Sequence, residues 1–201
     1  LLGWLYAAGL AATLLWLLVR LGMLWHFLRR QKLVAQGQNG VDVYEMKGDV
    51  QPFSFGRYVF LPAQLSGDMR RYVLLHEFSH IRHRHFLWLC LAELLVCLVW
   101  FNPFAWLLSY ELRLQQELEV DADVIDGGVD RQKYQLALLT MSTADRRWRP
   151  TRLSFLGQPL KLRLLFMNTP IGSSQARVRL LAASVLLAVV LSGLMVAACQ
   201  T

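Results

Sequence analysis

His76, Glu77 and His80 form the pattern His-Glu-x-x-His, with Phe78 and Ser79 between. On a helix, positions i and i+4 share one face, so both imidazoles can meet one zinc ion, and the residue after the first His can act as general base on a water at that metal. A catalytic zinc needs a third protein ligand and an open position. An extended His-Glu-x-x-His-x-x-Gly-x-x-His pattern would supply a third His, but those places hold His83 and Phe86, so that route fails. The alternative is a Glu from a later helix. Glu117 in the run Glu117-Leu118-Glu119-Val120-Asp121 answers that description, and Asp121, one turn on, can hydrogen-bond the free nitrogen of a ligating His. Taken alone, such acidic residues describe a solvated helix face, and the preceding His pair is what gives them a metal to meet. Glu119 and Asp123 point elsewhere on the same helix. His83 and His85 are expected to decorate the end of the first helix, where polar or positive groups suit the dipole. Tyr110, Arg113, Tyr134 and His83 are the side chains that could supply a second oxyanion donor.

These residues need elements that return them to one place. Residues 68 to 85 have the apolar character of a helix, with Ser66 or Asp68 available as N-cap. Phe86 to Trp100 is apolar apart from Glu93 and makes only ~22 Å of helix, short for a membrane span. Asn102-Pro103 then opens a helix that runs to Asp126 and stops at Gly127-Gly128. Residues 86 to 126 are therefore expected to be a helical hairpin whose tip enters the bilayer, because a single crossing would leave Glu117 on the opposite face from His76. Before the metal-binding helix, Val41 to Leu61 is β-branched and aromatic, broken by turn residues, and predicts a small sheet. Its last strand, Arg57 to Leu61, is expected to offer an edge for an extended substrate. Two further helices are predicted, from Asp130 to Ser142 and from Pro159 to Met167.

Of the 201 residues, 55% are hydrophobic, and the mean hydropathy is +0.35. That balance points to a membrane protein. Residues 1–28 and 180–199 are each long and apolar enough to span a ~30 Å core. The first is too long, and too closely followed by basic residues, to be a cleaved signal peptide. All 21 Lys and Arg lie between Arg20 and Arg179, and net charge is +7. By the positive-inside rule the middle of the chain faces the cytoplasm. The same charge could serve nucleic acid, but no basic and aromatic recognition module accompanies it, so no direct nucleic-acid contact is expected. Cys90, Cys97 and Cys199 lie in apolar runs without a CxxC pair, which excludes a disulfide framework and a thiolate site. The chain starts at Leu1 directly in an apolar run, as a fragment would.

The stretches HEFSHIRHRH, Phe101 to Trp106, ELEVDADVI, Tyr134 to Leu139 and PLKLRLLFM, in that order, resemble the membrane metallopeptidases of the β-lactam sensor-transducer type, the BlaR and MecR family. The resemblance implies His76, His80 and Glu117 as zinc ligands, Glu77 as catalytic base and Asp121 as the neighbour behind them. It also implies a bacterial inner-membrane signal transducer that cleaves a cytoplasmic repressor, itself, or both. A homodimer is compatible with it. Penicillin-recognising domains need a Ser three residues before a Lys, and Lys32, Lys47, Lys133 and Lys161 all lack one. A β-lactam signal is therefore not supported by these residues. The expected fold is a mainly α, multi-pass membrane protein, with a gluzincin-like metallopeptidase domain and a small β-sheet between transmembrane helices. Residues 1–28 and 180–199 would be the spans, and residues 29–179 the cytoplasm-facing domain, with zinc as cofactor and the bilayer and a protein substrate as partners. A non-catalytic transducer or scaffold with a structural or vestigial zinc site is the rival, and a base beside the ligands counts against it. Membrane proteases of the HtpX or prenyl-protein type share the zinc chemistry but place two full spans where this chain has room only for a hairpin.

Overall fold

The computed structural model describes residues 2–30, 32–36, 40–46, 51–144 and 160–168. The expected span at 180–199 and the loop from Asp145 to Pro150 lie outside them. The described chain is mainly helical, with one four-stranded sheet.

Helix α1 (Leu2–Leu28) is a nearly uncharged run of 27 residues, about 40 Å long. Among the described residues it is the one helix long and apolar enough to cross a membrane. Strands β1 (Lys32–Gln36), β2 (Asp42–Met46), β3 (Phe53–Phe55) and β4 (Tyr58–Pro62) follow, in the sheet order β1-β2-β4-β3. β2 and β4 run parallel, with Val43 opposite Val59, while β3 folds back antiparallel on β4 across Gly56, with Ser54 opposite Val59. The Gly56 turn needs φ +61°, which glycine adopts without strain. β4 is thus bonded on both sides. Among the described strands the edges are β1 and β3, which corrects the expectation that Arg57 to Leu61 would be an edge strand. β1, which the sequence pattern did not single out, closes the other side of the sheet.

Val43, Val59 and Leu61 turn one face of the sheet onto Val73 of helix α2 (Gly67–Arg82), with Ile81 and Met141 packed around them. Ser66 occupies the N-cap position of α2, though its side chain makes no capping bond. The helix ends at Arg82, three residues earlier than expected. His83 caps it and Arg84 takes a left-handed conformation at φ 54°, which redirects the chain into α3 (His85–Leu98). Helix α4 (Pro103–Asp126) begins as its sequence dictates, with Asn102 accepting the Phe104 N–H at 3.0 Å and Pro103 in the first turn. α3 and α4 pack against each other as a hairpin. Its outer face leaves Leu87, Trp88, Leu91, Leu94 and Leu98 exposed. Gly128, at φ +85°, ends α4 and leads into α5 (Arg131–Ala144), and α6 (Leu160–Asn168) lies against α4. Val124, Val129, Tyr134 and Met167 form a second small core where α4, α5 and α6 meet.

Candidate metal centre

α2 presents His76 and His80 one turn apart on the side facing α4, and their Nε2 atoms stand 3.2 Å from each other. Glu117, in the second half of α4, brings one oxygen to 3.5 Å from His76 Nε2 and the other to 3.5 Å from His80 Nε2. A tetrahedral zinc with bonds of ~2.0–2.1 Å holds its ligands about 3.3 Å apart, so the triangle has the dimensions of one face of such a site. Glu77 is buried beside His76 and lines the same cleft.

The groups behind the triangle fix which nitrogens face inward. Tyr134 Oη is 2.8 Å from His76 Nδ1 and donates to Asp121 Oδ1 at 2.7 Å. A hydroxyl that donates to the carboxylate accepts from the ring, which leaves the His76 Nε2 lone pair for the centre. His80 Nδ1 is 2.8 Å from His85 Nδ1, and His85 Nε2 is 3.2 Å from Glu119. The same reasoning turns the His80 Nε2 lone pair inward. Two inward lone pairs 3.2 Å apart, facing a carboxylate, repel unless a cation or a proton lies between them. This donor set therefore fits a divalent metal of the zinc class.

The electrostatics agree. Burial alone would lower the His76 pKa, but Asp121 and Glu117 outweigh it and hold it up at about 9. Burial pushes Glu117 up, yet the Arg163 guanidinium and the two imidazoles bring it well below the usual carboxylate range. Asp121 is likewise held down against its burial, chiefly by Arg163. Burial and the Asp121 charge push Tyr134 upward, so its hydroxyl keeps its proton. Arg163, from α6, donates to Asp121 at 2.6 and 2.8 Å and reaches Glu117 at 2.8 Å, which clamps both carboxylates in place. His85 is lowered by burial and by neighbouring His80, and is neutral.

The structure thus brings together His76, Glu77, His80 and Glu117, with Asp121 close behind. Asp121 does not meet His76 as directly as expected. Its oxygen is 3.5 Å from Nδ1, and the Tyr134 hydroxyl lies between. His83 and His85 do more than decorate a helix end, since His85 is buried against the back of His80. Of the expected oxyanion donors, Tyr134 is committed to His76 and Asp121, Arg113 lines the cleft but is bonded to Glu93, and His83 is turned to Asp123. Tyr134 and Arg163 as supporting residues were missed. The available signal was a single Arg in the apolar segment 160–167, because a buried guanidinium requires carboxylates.

The cleft in front of the triangle has a volume of about 550 Å³. Its walls come from the β3 strand with its flanking turn, α2, the start of α3, α4, α5 and α6, and Leu24 of α1 reaches it.

The model of the BlaR1 peptidase M56 family matches residues 4–167. The chain belongs to this family. The matched region contains every residue of the centre just described, from α1 to α6. The family is one of peptidases, and the cleft with its buried Glu77 is consistent with that membership. Among curated proteins, the regulatory protein BlaR1 of Bacillus licheniformis is 35% identical over 83 residues, which is 37% of this chain and 13% of that relative. The aligned stretch is therefore a small part of the relative's length.

Proposed function

We propose that this chain is a membrane-embedded zinc metalloendopeptidase that cleaves a cytoplasmic, repressor-like protein, itself, or both, in bacterial transmembrane signalling. The observation that carries the reading is the triangle of His76, His80 and Glu117, with edges of 3.2 and 3.5 Å and the buried Glu77 beside it. His76, His80 and Glu117 would hold the zinc ion, which would supply Lewis acidity to the scissile carbonyl and make a water reactive at neutral pH. Glu77 would accept a proton from a water whose oxygen bonds to the scissile carbonyl carbon, and return it to the amide nitrogen as the C–N bond breaks. Arg163 keeps Glu117 and Asp121 oriented, and Tyr134 holds the His76 ring through Nδ1. An extended substrate adds to the open edge of β3, which borders the cleft, and its apolar side chains meet Phe53, Phe55 and Phe86.

In this reading α1 and residues 180–199 cross the bilayer, and the tip of the α3–α4 hairpin enters it from the cytoplasmic side. The exposed leucines and Trp88 on α3 are then lipid-facing. Support for the depth comes from packing along α1. Gly9 lies against Trp100 at the hairpin tip, whereas Leu24 lies at the cleft, about 22 Å along the helix.

The test uses detergent-purified protein dialysed against a weak chelator. Wild type retains about one zinc per chain, and Glu117→Ala retains much less. Glu77→Gln keeps the zinc and loses peptide cleavage. Full cleavage by Glu77→Gln would remove the mechanism, and absence of zinc from wild type would favour a non-catalytic transducer.

A further inference from the structure

A second group of ligating side chains adjoins the first. His83 caps α2, His85 opens α3 and Glu119 lies on α4. One ligand atom from each of His83, His85 and Glu119 lies within 4.8 Å of the other two. Glu119 brings Oε1 to 3.7 Å from His83 Nδ1 and Oε2 to 3.2 Å from His85 Nε2, close to the ligand separation of about 3.3 Å in a tetrahedral zinc site. Each ring also has a partner on its far nitrogen. His83 Nε2 is 2.7 Å from Asp123, and His85 Nδ1 is 2.8 Å from His80 Nδ1. A back N–H donated to such a partner is what turns the front lone pair toward a metal. Charge favours a cation as well. Asp123 is matched by Arg82 at 2.6 Å, which leaves Glu119 as the excess negative charge, and the C-terminal end of α2 adds to it.

We propose that His83, His85 and Glu119 form a second, exchangeable zinc site. Glu119 is half exposed, its side chain at 50% relative accessibility, so an ion can enter from solvent without passing through the cleft.

The contact between His80 and His85 couples this site to the first. That hydrogen bond holds one proton. When His80 Nε2 is a ligand, the proton belongs to His80 Nδ1, and the hydrogen of neutral His85 sits on Nε2, where it blocks the second site. When His85 Nε2 is a ligand, the proton belongs to His85 Nδ1, and His80 carries its hydrogen on Nε2, facing the triangle. While the bond is intact, each ion excludes the other, and excess zinc withdraws His80 from the first centre. This coupling rests on the proposed function, whereas the site itself does not.

The experiment is zinc titration of the full chain in detergent, in a Glu117→Gln background that disables the first centre while leaving Arg163 an acceptor. Glu117→Gln is expected to bind about one zinc, removable by a weak chelator, and the double variant Glu117→Gln/His83→Ala to bind none. No zinc on the single variant, or equal zinc on both, overturns the site. Coupling is read separately in the wild-type background. Excess zinc should suppress wild-type cleavage, and His83→Ala should keep basal cleavage and lose the suppression. Suppression that survives in His83→Ala overturns the coupling. If no cleavage is found under any condition, the proposed function fails, yet the binding measurement still decides the site.

Discussion

Tyr134 shows how much of the proposed metal centre rests on a residue outside the His76, His80 and Glu117 triangle. Its side chain is fully buried, and its hydroxyl takes the His76 Nδ1 hydrogen while giving its own to Asp121. Phenylalanine fits the same space, so Tyr134→Phe removes the oxygen without opening a cavity. The expected outcome is a fall of 10–100-fold in zinc affinity, with the thermal midpoint little changed, measured by competition with a chromogenic chelator. Unchanged affinity would mean that Asp121 orients His76 unaided. At this scale the sequence was readable where the chemistry is local. The i, i+4 histidines and the acidic run at Glu117 to Asp121 are each set by helical spacing. Tyr134 and Arg163 come from α5 and α6, and only tertiary packing brings them to α4, so no spacing rule marks them.

At the scale of elements, the centre depends on the break between α2 and α3. A continuous helix would carry His85 away from His80; the turn at Arg84 folds it underneath. The turn requires a left-handed residue, and Arg84 adopts φ 54° where glycine would do so at no steric cost. Arg84→Gly should therefore raise stability by roughly 0.5–1 kcal/mol, seen as a higher thermal midpoint in detergent. A lower midpoint would show that the guanidinium, which lines the cleft, holds the turn through contacts worth more than the strain. The sequence hid this break because the turn from Arg82 to His85 contains neither Gly nor Pro to announce it. The sheet itself was legible, but its edge strand was not, for a related reason. Val59, Phe60 and Leu61 have the character of a strand, but strand order follows from the parallel pairing of β2 with β4, and composition does not encode it.

At the scale of the molecule, α1 is tied to the α3–α4 hairpin along its length. Tyr6 donates to the Leu98 carbonyl at 2.9 Å, and Gly9 admits the Trp100 ring so closely that a Cβ there would clash with it. Farther along, Arg20 is buried within electrostatic reach of Glu93 on α3, which is itself bonded to Arg113 on α4, one turn before Glu117. A displacement of α1 would therefore be felt at the hairpin through charge and at the cleft through Leu24. Removal of the single carboxylate between two buried guanidiniums is the most direct test. Glu93→Gln keeps the shape and leaves Arg20 and Arg113 repelling each other. It should destabilise the protein by about 3–5 kcal/mol, a large drop in thermal midpoint. Gly9→Leu separates α1 from the tip by steric force alone, leaving those charges in place. If the two helices work as one body, both variants should release α1 to protease at the hairpin contact, and Gly9→Leu should do so with the smaller loss of stability. Protection of α1 in both variants would mean that the hairpin and the cleft stand without it.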